Sequence, residues 1–201
     1  AGDIDFALGY SEPGAGSDLA SLKLKAERKG NGWLINGQKI WTSSGHVADW
    51  YWLAARTDPG APKHKGISVF LVNMKDPGIE VHPIETIGEH ATNSVFLTDV
   101  WVADEYVVGE LNKGWIYICE ALNYERFTFY TIAPLEQKFK ELVDLVKTLS
   151  RDGRPLNEFP EIRKKIIYLA ADVEKAKVLQ RKVLSIALQD QVPQTEAAIF
   201  K

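Results

Sequence analysis

The sequence predicts an α+β fold: an antiparallel β-barrel or sandwich over residues 1–113, then part of an all-α helical bundle over residues 114–201. Three observations predict it. Short runs before residue 110 alternate apolar and polar residues, the period of a half-buried strand. Clusters of Gly, Asn, Asp and Pro separate those runs at the spacing of an all-β domain. From about Gly114 the apolar residues recur every three or four positions instead, the period of an amphipathic helix.

Taken in order, Phe6-Ala7-Leu8 is a short apolar run before a glycine-rich heptad at residues 12–18. Leu22, Leu24 and Ala26 then alternate with Lys23, Lys25 and Glu27. Gly30-Asn31-Gly32 reads as a hairpin turn into Trp33-Leu34-Ile35, and Asn36-Gly37 reads as a second turn. Further strands are predicted at Trp50–Arg56, Ile67–Asn73, Ile79–His82 and Ser94–Val100. Asp58-Pro59-Gly60, Asp76-Pro77-Gly78 and Ile87-Gly88 lie between them as turn formers. One helix is predicted by Leu135, Phe139, Leu142, Val146 and Leu149, another by Ile162, Ile166, Leu169, Val173 and Ala176. Pro134 must kink the first or begin it. Arg151-Asp152-Gly153-Arg154-Pro155 separates the two, and Pro193-Gln194-Thr195-Glu196 opens a third. Two helices and a fragment cannot cover their own apolar stripes, so more helices are expected from the parent chain or a second subunit.

Composition narrows the function. The 201 residues carry a formal net charge of −3, with basic residues dispersed, which argues against a nucleic-acid partner. No run approaches the roughly 18 apolar residues of a membrane span, and no signal peptide is visible. The single cysteine, Cys119, excludes an internal disulfide. The four histidines are scattered without metal-ligand spacing, so no metal site is expected. The chain opens on Ala1-Gly2-Asp3 and reads as an internal piece of a longer protein. Five of its six tryptophans fall between residues 33 and 101. They read as an aromatic sheet core, with a site of flat surfaces as the functional alternative.

Two motifs carry the chemistry. Glu12-Pro13-Gly14-Ala15-Gly16-Ser17-Asp18 lets backbone N–H groups approach an anion such as a pyrophosphate, beside a serine hydroxyl. A tight turn is the bland alternative. The second motif is Asn36-Gly37-Gln38-Lys39-Ile40-Trp41-Thr42-Ser43-Ser44-Gly45, followed by Ala48-Asp49-Trp50. Trp41 and Ser43 stand two apart and so share one face of a strand, an aromatic wall with an adjacent donor.

Together these motifs resemble the middle domain of acyl-CoA dehydrogenases. The resemblance continues through Gly66–Val72 and Asn93–Val102 as core strands, Gly109-Glu110 and Lys113-Gly114-Trp115 as the linker, and Glu125-Arg126 as the start of the first long helix. It covers essentially the whole chain, with five motifs in order. It implies FAD as cofactor and α,β-dehydrogenation of an acyl-CoA thioester. The stretch Leu8–Ser17 would line the flavin, with Tyr10, Ser11 and Gly16 closest and Ser17 between pyrophosphate and substrate. Trp41 would shield the isoalloxazine ring, with Thr42 and Ser43 at its N5 edge. A flavin asks a protein for these things: donors along one edge, an apolar wall and a phosphate cradle.

The resemblance also implies a carboxylate base. Most of the family carry it downstream of the region matched here; a minority carry it on the first long helix, immediately before an arginine. Glu125 in Leu122-Asn123-Tyr124-Glu125-Arg126 matches the minority position, with a surface Glu-Arg pair as the alternative. Asn123, Tyr124 and Arg126 would border the acyl and pantetheine channel. Glu89-His90-Ala91-Thr92-Asn93 reads as a solvated turn, with a loop near CoA as the alternative. The implied partners are an acyl-CoA substrate, electron-transfer flavoprotein as electron acceptor, and further subunits in a homo- or hetero-oligomer, a homotetramer among them. A cytoplasmic setting is expected ahead of a mitochondrial matrix.

One departure stands out. The family's Arg-x-x-Phe-Gly, whose arginine reaches a neighbouring subunit's flavin, is replaced by Ser150-Arg151-Asp152-Gly153-Arg154-Pro155-Leu156. Arg151 or Arg154 is the available substitute. Two other functions follow from the same scaffold: a non-catalytic subunit of a heteromeric dehydrogenase, and an acyl-CoA oxidase.

Overall fold

The computed structural model describes residues 2–88, 92–128, 132–189 and 191–200. Contacts divide the chain into two compact units, Ala1–Cys119 and Glu120–Lys201.

The first unit is a seven-stranded sheet. Its strands are β1 (Phe6–Gly9), β2 (Lys25–Lys29), β3 (Gly32–Ser43), β4 (Trp50–Arg56), β5 (Ile67–Asn73), β6 (Ile79–Ile84) and β7 (Thr92–Ala103). The order is β1-β4-β2-β3-β7-β6, with β5 on the other side of β4. Most pairs are antiparallel, as expected, but the sheet is mixed, because β1 and β2 both run parallel to β4. β1 pairs with Trp50–Leu53, and β2 meets the same strand only at Arg56. The chain therefore leaves the edge of β4 after Gly9 and returns to it at Lys25. The glycine-rich heptad lies in that excursion.

The inward faces are those that the alternation marks. Ala7, Leu24, Ala26, Trp33, Ile35, Tyr51, Leu53, Phe70, Val72, Val95 and Val100 form one buried cluster. Trp33 meets Phe70 edge to face at 5.9 Å between ring centroids, a favoured aromatic geometry.

One expected turn is absent. Asn36-Gly37 does not reverse the chain; β3 runs straight through it. The partner strand carries the irregularity: Ile35 pairs with Val100 and Gly37 with Leu97, so β7 has one extra residue there. Asp99 takes it up with a left-handed φ of 51°. Asn36 closes that bulge, its Oδ1 accepting from the Asp99 N–H at 2.8 Å and its Nδ2 donating to Asp99 Oδ1 at 3.1 Å. The Asn that suggests a turn by composition is spent across the ladder.

The second unit is helical. The chain enters it through α1 (Gly114–Thr128) and continues with α2 (Ala133–Thr148), α3 (Pro160–Ala187) and α4 (Gln194–Phe200). Pro134 stands at the start of α2 rather than inside it, where its missing N–H costs nothing. A two-strand hairpin, β8 (Ser150–Arg151) with β9 (Arg154–Pro155), fills the polar break. Val183 and Ala197 form a small core with Tyr124, Ala187 and Phe200. Lys177 bridges α3 to Glu136 of α2 at 2.6 Å, and Lys182 reaches Glu196 of α4 at 3.2 Å. Of the predicted stripes, Leu135, Leu149 and Leu169 remain exposed, as stripes without a covering helix lead one to expect. Glu125 does not begin a helix. α1 starts at Gly114, and Glu125 lies in its last described turn. The early start rests on Gly114, whose missing side chain lets the helix sit against the Ser68 backbone: a Cβ would come within 2.8 Å.

Gly37 lies at φ +144°, and a Cβ there would meet Leu24 atoms at 3.0–3.2 Å, backbone included. Gly37→Ala is therefore expected to lower stability by about 1–3 kcal/mol. Urea unfolding measures it, and an unchanged midpoint contradicts this account of the strand.

Candidate functional site

The site begins with a fault in β3. Trp33, Ile35 and Lys39 share a phase and face inward, so an unbroken strand would bury Trp41 as well. Between Lys39 and Thr42 the ladder advances three residues on β3 against two on β7. Trp41 absorbs the extra residue with a φ of 62°, and its indole turns outward, 59% exposed. Thr42 then faces in and Ser43 out. A β-bulge that re-aims a bulky side chain in the left-handed region points to function.

Buried polar groups hold the bulge. Thr42 Oγ1 and the Tyr51 phenol share a hydrogen bond at 2.7 Å, and burial raises the Tyr51 pKa above its usual value. Asn93 Nδ2 donates to the Thr42 carbonyl at 2.9 Å and lies 3.4 Å from His46 Nδ1. Asn93 Oδ1 and Thr92 Oγ1 are buried without a partner among the described residues. They pair in register with Thr42 and Ser43.

The heptad is fastened to the same place. Ile40 donates its N–H to the Ser11 carbonyl at 2.9 Å, instead of to the ladder. Lys39, with no exposed surface, donates from Nζ to the Tyr10 carbonyl at 3.0 Å and to Glu12 Oε1 at 2.9 Å. Glu12 in turn accepts the N–H groups of Leu24 at 2.9 Å and Lys23 at 2.6 Å. Burial pulls the Lys39 ammonium down to about 8, and the Glu12 carboxylate opposes that fall. The carboxylate at 2.9 Å favours the charged form of the lysine. The Glu12 and Ala15 backbones close the turn on each other at 2.8 and 3.0 Å. Pro13 and Gly14 are exposed at its tip, and Gly16 and Ser17 are exposed just after it.

Leu8, Gly16, Ser17, Trp41 and Ser43 are exposed and Ser11 partly so. Tyr10 and Thr42 are buried, so what they offer a ligand is backbone. The bulge and the Ile40–Ser11 bond join Tyr10–Ser11 to Trp41–Ser43 within one unit. Asn123, Tyr124, Glu125 and Arg126 belong to the second unit, on α1. Tyr124 packs toward the Val183–Ala197 core, and Glu125 follows it about 100° round the helix. Of the expected solvated turn, Glu89–Ala91 lie outside the described residues, while Thr92 and Asn93 are ladder residues of β7 and Asn93 is buried. Arg151 and Arg154 are engaged locally: both guanidinium groups stack on Phe159, at 4.3 and 5.2 Å, and they pair with Glu161 and Glu158. The sequence reading missed the Lys39–Glu12 pair. Its available signal was the phase of Lys39, which is that of Trp33 and Ile35.

The profile of the acyl-CoA dehydrogenase middle domain matches residues 7–100, and that of the C-terminal domain matches residues 112–201. The chain belongs to the acyl-CoA dehydrogenase family. It is 42% identical over 193 residues to "Acyl-CoA dehydrogenase FadE34" of Mycobacterium tuberculosis, covering 96% of this chain and 26% of that protein. Among solved structures it is similar to the ChsE4-ChsE5 complex from Mycobacterium tuberculosis, with a TM-score of 0.88 and 34% identity over 98% of this chain and 51% of that one. It is likewise similar to the Tcur3481-Tcur3483 steroid ACAD, with a TM-score of 0.85 and 39% identity over 99% of this chain and 51% of that one. The chain thus spans about half the length of these solved chains and about a quarter of FadE34.

Enzymes of this family are FAD-dependent oxidoreductases. The first unit fits such a group. Leu8 and Trp41 offer exposed apolar surface, Gly14 and Gly16 have open space where a Cβ would stand, and unpartnered polar atoms belong to the residues that pair with Thr42 and Ser43 across the ladder. Among the described residues no cluster of metal ligands is present, and no helix is long and apolar enough to cross a membrane.

Lys39→Met would leave the Glu12 carboxylate buried without its cation. A loss of about 3–5 kcal/mol is expected, as for other broken buried pairs. Denaturant unfolding measures it, and a loss below about 1 kcal/mol, the worth of an exposed pair, contradicts the burial of this one.

Proposed function

We propose that the protein carrying this chain dehydrogenates an acyl-CoA thioester between its α and β carbons, with FAD as cofactor. One observation supports this most: the β3 bulge turns Trp41 out of the core beside the heptad, making an aromatic wall next to an open glycine turn. Leu8 and Trp41 would face the ring, and Tyr10, Ser11, Thr42 and Ser43 would supply groups along its edge. Gly16 and Ser17 would meet the pyrophosphate through backbone N–H groups and the Ser17 hydroxyl.

FAD, when bound, supplies the acceptor for the β hydrogen and its electron pair. Glu125 takes the α proton at a carboxylate oxygen, and the electrons of that C–H bond become the new Cα=Cβ bond. The α proton is weakly acidic, so hydrogen bonds to the thioester carbonyl must stabilise the developing enolate. Asn123, Tyr124 and Arg126 would border the acyl and pantetheine channel. Electron-transfer flavoprotein would accept the electrons, and the protein would work as an oligomer in the cytoplasm.

A second reading, a non-catalytic subunit of a heteromeric dehydrogenase, is supported by the hairpin that keeps Arg151 and Arg154 on Phe159. Two of the similar solved structures carry paired names, ChsE4-ChsE5 and Tcur3481-Tcur3483. Full-length protein purified alone with neither bound flavin nor substrate-dependent reduction would favour that reading.

Glu125→Gln is expected to slow the reductive half-reaction of the full-length enzyme by at least about 100-fold, the lower range of general-base catalysis. FAD binding should not change. Stopped-flow loss of the oxidised flavin band measures the rate, and an unaltered rate removes Glu125 as the base.

A further inference from the structure

We infer that Lys39 is a positioning residue for the cofactor wall, one that fixes the Tyr10–Ser11 segment against the Trp41 bulge. The inference rests on the flavin reading above.

The geometry around Ser11 carries it. The carbonyl before this residue, that of Tyr10, accepts from Lys39 Nζ at 3.0 Å. Its own carbonyl accepts from the Ile40 N–H at 2.9 Å. Both ends of the Ser11 backbone are therefore tied to neighbouring residues of one strand, immediately before Trp41. Lys39 serves both walls: its main chain leads into the bulge and its side chain reaches the heptad. The second tie of its ammonium, to Glu12, extends the clamp through the Lys23 and Leu24 N–H groups to the end of the excursion from β4.

The choice of residue is the other half of the argument. Lys39 sits in phase with Trp33 and Ile35, pairs in register with Val95, and is fully buried. A methionine of similar length would fill that space without desolvating a charge, and well-packed apolar replacements of buried ion pairs are often neutral or stabilising. What such a residue cannot do is hold a carbonyl. The Tyr10 carbonyl belongs to the stretch that would line the flavin, so the cost of burying the ammonium is offset where the ligand is met. Packing alone gives no reason for this lysine.

The test separates positioning from stability. In the full-length protein, the double variant Glu12→Gln/Lys39→Met removes both charges together, so no unpaired ion is left behind. Its unfolding midpoint is expected to recover most of the loss seen in Lys39→Met. Its FAD dissociation constant, from flavin fluorescence, is expected to stay at least about tenfold above wild type, and its visible band to move toward that of free FAD. Gly78→Ala, destabilised where its Cβ would press on the Thr98 carbonyl and outside the Lys39–Glu12 network, should keep both values. If the double variant does not fold, Lys39→Arg replaces it. That variant keeps a buried cation for both acceptors and is expected to keep the wild-type flavin band. A double variant with recovered stability and wild-type FAD affinity overturns the inference, as does a folded Lys39→Arg with the band of free FAD. Wild-type protein unable to hold FAD would instead overturn the flavin reading, and this inference with it.

Discussion

The structure of the first unit turns on one buried ion pair. Lys39 and Glu12 are 27 positions apart in sequence and meet at 2.9 Å with almost no water access. Such a pair contributes little net stability, because desolvation costs about what the attraction returns. Its importance lies in what else the two groups touch. Lys39 holds the Tyr10 carbonyl, and Glu12 holds two N–H groups at the start of β2. The 15 residues between β1 and β2 thereby become a fixed excursion from the sheet edge. A glycine-rich segment left untied would sample many conformations, and each ordered residue costs roughly 1–2 kcal/mol of backbone entropy. Here the tie is made by the protein's own side chains.

The bulge in β3 is the counterpart on the sheet. It costs backbone strain at Trp41 and exposes a large apolar side chain, both of which an isolated strand would avoid. Thr42, Tyr51 and Asn93 offset part of that cost with hydrogen bonds in a buried layer, where each unmade bond would cost about 1–3 kcal/mol. Strain, an exposed indole and orphaned polar atoms gather within a few residues of each other. That is the pattern expected where a surface is built for something other than its own stability.

Much of this was legible in the sequence. Trp50–Arg56 and Ile67–Asn73 are strands at the predicted bounds, because nothing competes with their apolar runs and turn flanks. Pro134 in the first turn of α2 follows from proline chemistry, and the break at residues 151–155 from a polar run that carries a glycine and a proline. Composition failed where a side chain does a backbone's work. Asn36-Gly37 has the residues of a turn, yet Asn36 satisfies a bulge on β7. A lysine in a strand suggests solvent, and the partner that justifies its burial is remote in sequence. Likewise, Glu125 is readable only through family likeness, and it belongs to a unit whose helices leave much apolar surface uncovered. The motifs marked the two segments that the Ile40–Ser11 bond joins; the buried network that ties them needed three dimensions.

On the proposed reading, Trp41 with Thr42 and Ser43, and the segment at Gly16-Ser17, form two walls of one cofactor site. A crystal structure of the full-length protein with bound flavin tests this most directly. It should show the ring against Trp41, with Thr42 and Ser43 at its edge, the pyrophosphate along Gly16-Ser17, and Lys39 still joined to Glu12 beneath. A flavin seated on other residues, with this surface left to solvent or covered by protein, would contradict it.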